Sequence, residues 1–447
     1  MSLWERFSIP VLASAILVCH FGLSFALMPP WQQPDEPTFV AWAAWQRERI
    51  LHGTRAPAAG REGEIIRSMA RHDWWTHRRV NGQPPDPLPD DFTVTGTGTS
   101  AATPGRPPGY PWTAGGFLAV FRPLSIEGNL YLLRTLSALL GLLTLWVAWL
   151  AARESLGALG GATIAAVLAL HPQFTIVSTS AASDALANLL GALAWWQVAR
   201  IARGRTVALS VATMWCAILA AVLVDRMAVP IVVTAGLASI LALWTRLGSI
   251  RTPMVMVALA ALLTVAARYA PWAPAPLQES LQSYQWGRLF SASFAPAALS
   301  WDLFSSFTAF MHQSWWFSLG WGRYAPPSWW MGPLTLLTLV AACGIGRQLF
   351  ARTVDRSTRE IIALALVTLA AQAGAVYWMY YRFANGSQGK SLFPALVPTL
   401  VLLWVGVAAW VPDRYRPAAA MALVAVLALF DLSVWTLVAI PAYYSTF

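Results

Sequence analysis

Apolar stretches of roughly 20 residues, each able to cross about 30 Å of hydrocarbon, recur along most of the chain and predict membrane helices. About eleven such spans are legible, centred near Val18, Leu142, Val167, Leu190, Ala217, Val233, Leu259, Leu337, Val367, Leu402 and Val426. Two longer segments, about 30–110 and about 271–330, interrupt the series, and every other connection is short. Residues 29–110 and 271–330 therefore read as two large loops on one side of a single transmembrane domain over 1–447, with no internal repeat. The expected fold class is an all-α polytopic membrane protein.

Polar punctuation orients these spans. Arg6, Arg153, the Arg200, Arg203, Arg205 cluster, Arg246 with Arg251, the Arg347, Arg352, Arg356, Arg359 run, and Arg414 with Arg416 all fall between spans on one side. The positive-inside rule makes that side cytoplasmic, with the N-terminus inside and both long loops outside. The first loop is also rich in arginine, but long loops are largely exempt from the rule. The apolar run from Ile9 to Met28 exceeds the roughly 7 to 15 residues of a secretory signal core, so it reads as the first span even though Ser24 and Ala26 imitate a cleavage pattern.

Within the first loop, Phe39, Trp42 and Trp45 recur every third residue before Arg47, Glu48 and Arg49. That stripe predicts an amphipathic helix lying in the membrane interface. A second helix is expected over Glu62 to Arg79, anchored by Trp74 and Trp75, followed by irregular chain from Pro84 to Pro108. The second loop is dense in aromatic residues, and Ser314 to Arg323 carries Gly320 and Gly322, which permit a tight backbone beside a ligand. Aromatic belts anchor any membrane protein, so stacking on sugar or isoprenoid is one of two readings there.

Composition sharpens the class. The 447 residues are 57% hydrophobic and only 11% charged, far more apolar than a soluble domain. A net charge of +10 raises nucleic acid as a partner, but Lys390 is the only lysine and the arginines are dispersed. Membrane lipids and phosphate-bearing lipids are the expected partners, with no nucleic acid. Cys19, Cys216 and Cys343 have no paired spacing, and His20, His72, His171 and His312 show no zinc pattern, so both sets read as structural.

The strongest candidate chemistry is the pair Asp35 and Glu36, in Pro-Pro-Trp-Gln-Gln-Pro-Asp-Glu-Pro at 29–37, directly after the first span. A carboxylate this close to hydrocarbon is costly unless it has a partner or a watery cleft. Catalysis is one reason for it; capping of a helix starting near Glu36 and Pro37 is another. Cations expected at the outer ends of spans are Arg226, Arg382 and Lys390. Arg226 has the alternative of a local pair with Asp225, and Asp184 that of capping the fourth span.

Four passages, Pro34-Asp-Glu-Pro37, Ser183-Asp-Ala-Leu-Ala-Asn188, Phe317 to Trp330 and Gln388-Gly-Lys-Ser-Leu-Phe-Pro394, together resemble the GT-C membrane glycosyltransferases. That superfamily includes protein O-mannosyltransferases and the aminoarabinose transferase of lipid A, and the nearest likeness is to a bacterial multi-spanning family. The chain departs from that family at Phe39, where a histidine is usual, and at Gly389-Lys390-Ser391, where Gly-Arg-Tyr is usual. Lys390 keeps the positive charge without the bidentate fork.

The resemblance implies an inverting transfer of sugar from a polyprenyl-phosphate donor to an envelope glycan, glycolipid or exported protein, on the outer face of a bacterial cytoplasmic membrane. A displacement of that kind needs a base for the acceptor proton and cations for the leaving phosphate. Asp35 is expected as base with Glu36 orienting it or the acceptor. Arg382, Lys390 and Arg226 are expected on the donor phosphate, and Asp184, Trp321 and Arg323 on substrate. The lipid-linked sugar donor takes the place of a cofactor, no metal ligands are assigned, and dependence on a divalent ion stays open. The competing classes are a lipid or solute transporter, which would carry paired halves, and a non-catalytic scaffold binding polyprenyl lipid.

Overall fold

The computed structural model describes residues 3–33, 35–54, 60–77, 83–92, 107–121, 125–242, 301–351, 354–383 and 388–444. Among them the only extended pairing is an isolated bridge between Leu319 and Tyr324. The helices are α1 (Leu3–Leu27), α2 (Glu36–His52), α3 (Arg61–Arg71), α4 (Trp74–His77), α5 (Gly109–Ala119), α6 (Ile126–Ala169), α7 (Pro172–Ser178) and α8 (Asp184–Ala202). They continue as α9 (Val207–Val224), α10 (Ile231–Ala242), α11 (Trp301–Trp316), α12 (Ser328–Phe350), α13 (Arg356–Phe383), α14 (Leu396–Ala408) and α15 (Arg416–Val434). Seven described helical segments are long and apolar enough to cross a membrane. The chain is a multi-pass membrane protein. Of the expected span centres, Leu259 lies outside the described residues, Val233 falls on the short α10, and Leu190 falls on α8, which is not among the seven.

α6 carries two of the expected spans. At Gly157 the backbone turns to φ 80, a conformation glycine adopts without a Cβ penalty. A Cβ on Gly161 would meet Arg153 and the Trp149 carbonyl, so the two arms double back on each other. The hairpin, α1, α8, α12 and α14 supply the main apolar core. Where α12 meets α14 the backbones nearly touch: a Cβ on Gly344 would overlap the Gly406 carbonyl, and one on Gly406 the Ala341 carbonyl. Gly344→Val is therefore expected to force the helices apart at a cost of about 1–3 kcal/mol, seen as a lower thermal midpoint in detergent.

The first loop is a small packed layer rather than a surface raft. Phe39 and Trp42, expected to lie in the membrane interface, are buried against Tyr110, Ala114 and Leu133, with Phe39 edge-on to Tyr110 at 5.3 Å. Trp74 and Trp75 are buried in the same cluster. The expectation of interfacial anchoring is corrected here, because a three-residue aromatic spacing fits a protein neighbour as well as a lipid one. The helix expected over Glu62 to Arg79 is α3 and α4, separated at His72 and Asp73, and 83–92 is irregular as expected. Residues 93–106 and 243–300, including the first half of the second loop, lie outside the described residues.

The helix ends at Leu27, Ile126, Asp184, Val224 and the turn at Gly389 gather with this layer on one side. On the opposite side Arg203 donates to Asp355, Ser357 and the Ser155 carbonyl, tying α6, α8 and α13 together.

Candidate active site

The loop from Met28 to Glu36 is fixed from beneath by a single arginine. Arg134, in the first arm of α6, donates Nε to Glu36 Oε1 and Nη2 to Glu36 Oε2, both at 2.8 Å. Its remaining donors reach the carbonyls of Met28 and Pro29 at 3.0 Å. The Ala181 and Gln33 N–H groups complete the Glu36 carboxylate. Both side chains of the ion pair are 1% exposed or less. A charge pair this dry persists because its geometry is bidentate, four of the five guanidinium protons are bonded, and each carboxylate oxygen accepts twice. Glu36 thus has no vacant oxygen for an acceptor, and its role is to pin the loop.

With Glu36 drawn inward, Asp35 adopts the left-handed conformation, φ 68 and ψ −5. Aspartate tolerates that region better than most side chains, though it remains strained for a non-glycine residue. Asp35 occupies the N-cap position of α2, and its carbonyl accepts from Phe39 N, but its side chain makes no capping bond. The capping alternative is corrected: the carboxylate turns instead toward Lys390, with Oδ2 3.9 Å from Nζ.

Lys390 is reached from three directions. It stands in the 3-10 turn Gly389–Ala395 that leads into α14. Asp184, the first residue of α8, accepts from Lys390 Nζ at 3.0 Å, so its side chain also serves an ion pair rather than its own helix. Side-chain exposures of 26% for Asp35, 19% for Asp184 and 13% for Lys390 leave the group open to a ligand yet largely desolvated. A close backbone approach makes this possible: a Cβ on Gly389 would overlap Trp315 N, and Gly389 N donates to Ser314 Oγ at 2.8 Å.

Asp225 lies on the remaining side, near enough to feel both Asp184 and Lys390. Asp225 Oδ2 accepts from Ser183 Oγ at 2.7 Å and Oδ1 from Met227 N at 2.8 Å, capping the 3-10 turn Arg226–Ala228. Loss of solvation and the nearby Asp184 charge push the Asp225 carboxyl above its ordinary range, against the pull of its hydrogen bonds and of Lys390. Both oxygens of Asp225 are thus taken by groups other than its neighbour in sequence.

Other expected residues lie elsewhere. Arg323 donates to the Thr76 carbonyl and stacks over Tyr324 at 5.3 Å. Its charge, after burial, helps lower the His77 pKa. Among the described residues no hydrogen bond or ion pair joins Arg323 to the Lys390 group. The side chains of Trp321 and Arg382 lie outside the described residues. His171 caps α7 through Nδ1 and packs between Trp315, Trp316 and Phe393. No group of three or more histidine, cysteine or acidic side chains among the described residues is arranged to hold a metal ion.

Arg134 was not singled out by motif, yet a lone arginine inside an apolar span is itself a signal that a buried partner exists. Nothing in the sequence around Asp225 points to Ser183, because the contact joins elements 42 residues apart.

Residues 105–272 match the family described as dolichyl-phosphate-mannose-protein mannosyltransferase. No curated protein matches the chain in sequence. Among solved structures, ArnT from Cupriavidus metallidurans bound to undecaprenyl phosphate is similar with a TM-score of 0.51 at 16% identity, over 94% of this chain and 64% of that one. The Archaeoglobus fulgidus oligosaccharyltransferase tethered to an acceptor peptide is similar with a TM-score of 0.50 at 13% identity, over 99% of this chain and 55% of that one. This chain therefore spans less than two thirds of either neighbour, and at such identity the likeness is one of fold. The family match covers residues 105–272, and the likeness in helical architecture extends over nearly the whole chain.

Proposed function

We propose that this protein transfers a sugar from a polyprenyl-phosphate donor to a hydroxyl of an envelope glycan, glycolipid or exported protein. The reaction would take place at the outer face of a bacterial cytoplasmic membrane, with the N-terminus inside. The observation that carries the reading is one ammonium, Lys390, set between two partly open carboxylates, Asp184 at 3.0 Å and Asp35 at 3.9 Å.

Asp35 accepts the proton of the acceptor hydroxyl as its oxygen attacks the anomeric carbon. The bond from that carbon to the phosphate oxygen breaks, and polyprenyl phosphate leaves with the electron pair. A single displacement from the face opposite the leaving group inverts the anomeric centre. Lys390 neutralises the charge that grows on the phosphate, and Arg226 and Arg382 are assigned to the same anion. A phosphate leaves as a stable anion, so no second carboxyl is needed as acid, in contrast to a glycosidase that expels an alkoxide. Asp184 holds Lys390 between turnovers. Trp321 and Arg323, in the turn packed on Thr76, are assigned to the acceptor side. Glu36 acts through the backbone, by pinning the loop that presents Asp35. ArnT binding undecaprenyl phosphate supports a lipid phosphate as the donor's leaving group.

The test is release of polyprenyl phosphate from a broad panel of lipid-linked sugars, with envelope extract as acceptor. Lys390→Met is expected to raise the donor KM at least tenfold, the loss of about 1.4 kcal/mol of charge-assisted bonding, and Lys390→Arg to recover most of it. Failure of the wild-type protein to release lipid phosphate from any donor would overturn the assignment.

A further inference from the structure

Around the Asp184–Lys390 contact the hydrogen bonds form a closed circuit through five elements. Lys390 Nζ donates to Asp184 Oδ2 at 3.0 Å. The residue before Asp184, Ser183, donates Oγ to Asp225 Oδ2 at 2.7 Å. Asp225 Oδ1 accepts from Met227 N at 2.8 Å. The Met227 carbonyl accepts from Gln372 Nε2 at 2.7 Å, and the same nitrogen donates to the carbonyl of Ser391 at 2.8 Å. Ser391 follows Lys390, which returns the circuit to its start. The participating elements are the start of α8, the end of α9, the turn Arg226–Ala228, α13 and the turn Gly389–Ala395.

Gln372 is fully buried within α13, an apolar helix in which an amide is costly unless it is bonded. Both hydrogen bonds from its Nε2 go to backbone carbonyls of the two turns that flank the cation, so it staples those turns to each other. Asp225 does the same between α9 and α8. Neither side chain contacts Lys390 by a hydrogen bond. We infer that Ser183, Asp225 and Gln372 are positioning residues that hold Lys390 at contact distance from Asp184, and thereby present one rigid ammonium to an anionic headgroup. The identity of that headgroup rests on the proposed transfer from a polyprenyl phosphate; the circuit itself does not.

Lys390 is the chain's only lysine, so its side chain can be followed alone. The titratable and charged groups around it are Asp35, Asp184 and Asp225, with the Glu36–Arg134 pair behind Asp35. The experiment is acylation of Lys390 by an amine-reactive reagent in the full-length protein, read as a rate by mass spectrometry at fixed pH, with the N-terminal amine as internal reference.

Opening the circuit at any point frees the ammonium. Asp225→Leu, Gln372→Met and the mild Ser183→Ala are each expected to raise the acylation rate about fivefold to tenfold, the change in an open–closed equilibrium that loses one hydrogen bond. The Asp225→Leu, Gln372→Met double variant is expected to add no more than about twofold to the larger single effect, because a circuit already open cannot be opened again. Asp225→Asn, which can accept from Met227 N and donate to Ser183 Oγ, is expected to stay within about twofold of wild type.

Unchanged rates in all three disrupting variants overturn the inference, and so does an Asp225→Asn rate as high as that of Asp225→Leu, which would assign Asp225 a charge role instead. Ser183→Ala keeps the test decisive where a larger change prevents folding. Protection of Lys390 by added undecaprenyl phosphate is a separate arm. Its absence would count against the proposed donor and leave the circuit result standing.

Discussion

Asp35→Asn is expected to lower glycosyl transfer roughly hundredfold to ten-thousandfold, the range supplied by a positioned general base. Stability should hardly move. Asparagine occupies the left-handed region as readily as aspartate, so φ 68 is kept, and the Glu36 clamp next to it is untouched. Lys390 retains its bond to Asp184. Asp35→Val is the informative contrast, because a β-branched residue in that backbone conformation adds strain and should reduce the thermal midpoint as well. Parallel measurement of lipid-phosphate release and thermal unfolding separates the two effects. A variant that retains full transfer with asparagine at 35 would remove this residue from the proton-transfer step.

The largest effect on stability is expected at Arg134. Arg134→Met removes the cation from a fully buried carboxylate and withdraws donors from the Met28 and Pro29 carbonyls. Breaking one side of such a pair costs about 3–5 kcal/mol, enough to unfold most membrane domains at moderate temperature. Glu36→Gln should cost a comparable amount, because it leaves the Arg134 cation buried without its counter-charge and an amide nitrogen cannot accept from the N–H groups that one carboxylate oxygen held. Replacing both partners by apolar residues of matching volume is expected to regain much of the loss in thermal midpoint while leaving transfer low, since the loop carrying Asp35 is then no longer pinned. Equal midpoints for wild type and Arg134→Met would show that the pair contributes nothing net.

Much of this architecture was legible in the sequence because membrane crossing demands long apolar runs, and such runs survive any later packing. Asp35, Asp184 and Lys390 were legible as chemistry because each breaks an apolar context near a span end. Their convergence was not, since it depends on how α1, α8 and the turn before α14 meet. The stripe of Phe39 and Trp42 misled for a related reason: an apolar face is equally satisfied by lipid or by Tyr110 and Leu133, and sequence carries no preference. The sequence leaves Glu36 to orient either Asp35 or the acceptor. Arg134, 98 residues away, takes both of its oxygens, which leaves Glu36 to act through the loop that carries Asp35. Asp225 seemed a natural mate for Arg226, whereas its oxygens turned to Ser183 and a backbone amide.

Deep in the helical core His20 of α1 lies 3.0 Å from Asp431 of α15 and 3.0 Å from the Ala169 carbonyl at the end of α6. A polar side chain in the first span thereby depends on a partner supplied by the last described one. During synthesis α1 enters the bilayer long before α15 exists, so His20 must wait in lipid or against transient neighbours until residue 431 emerges. An early helix is thus held by a residue more than 400 positions further along the chain, so its final polar contact waits on a late part of the sequence.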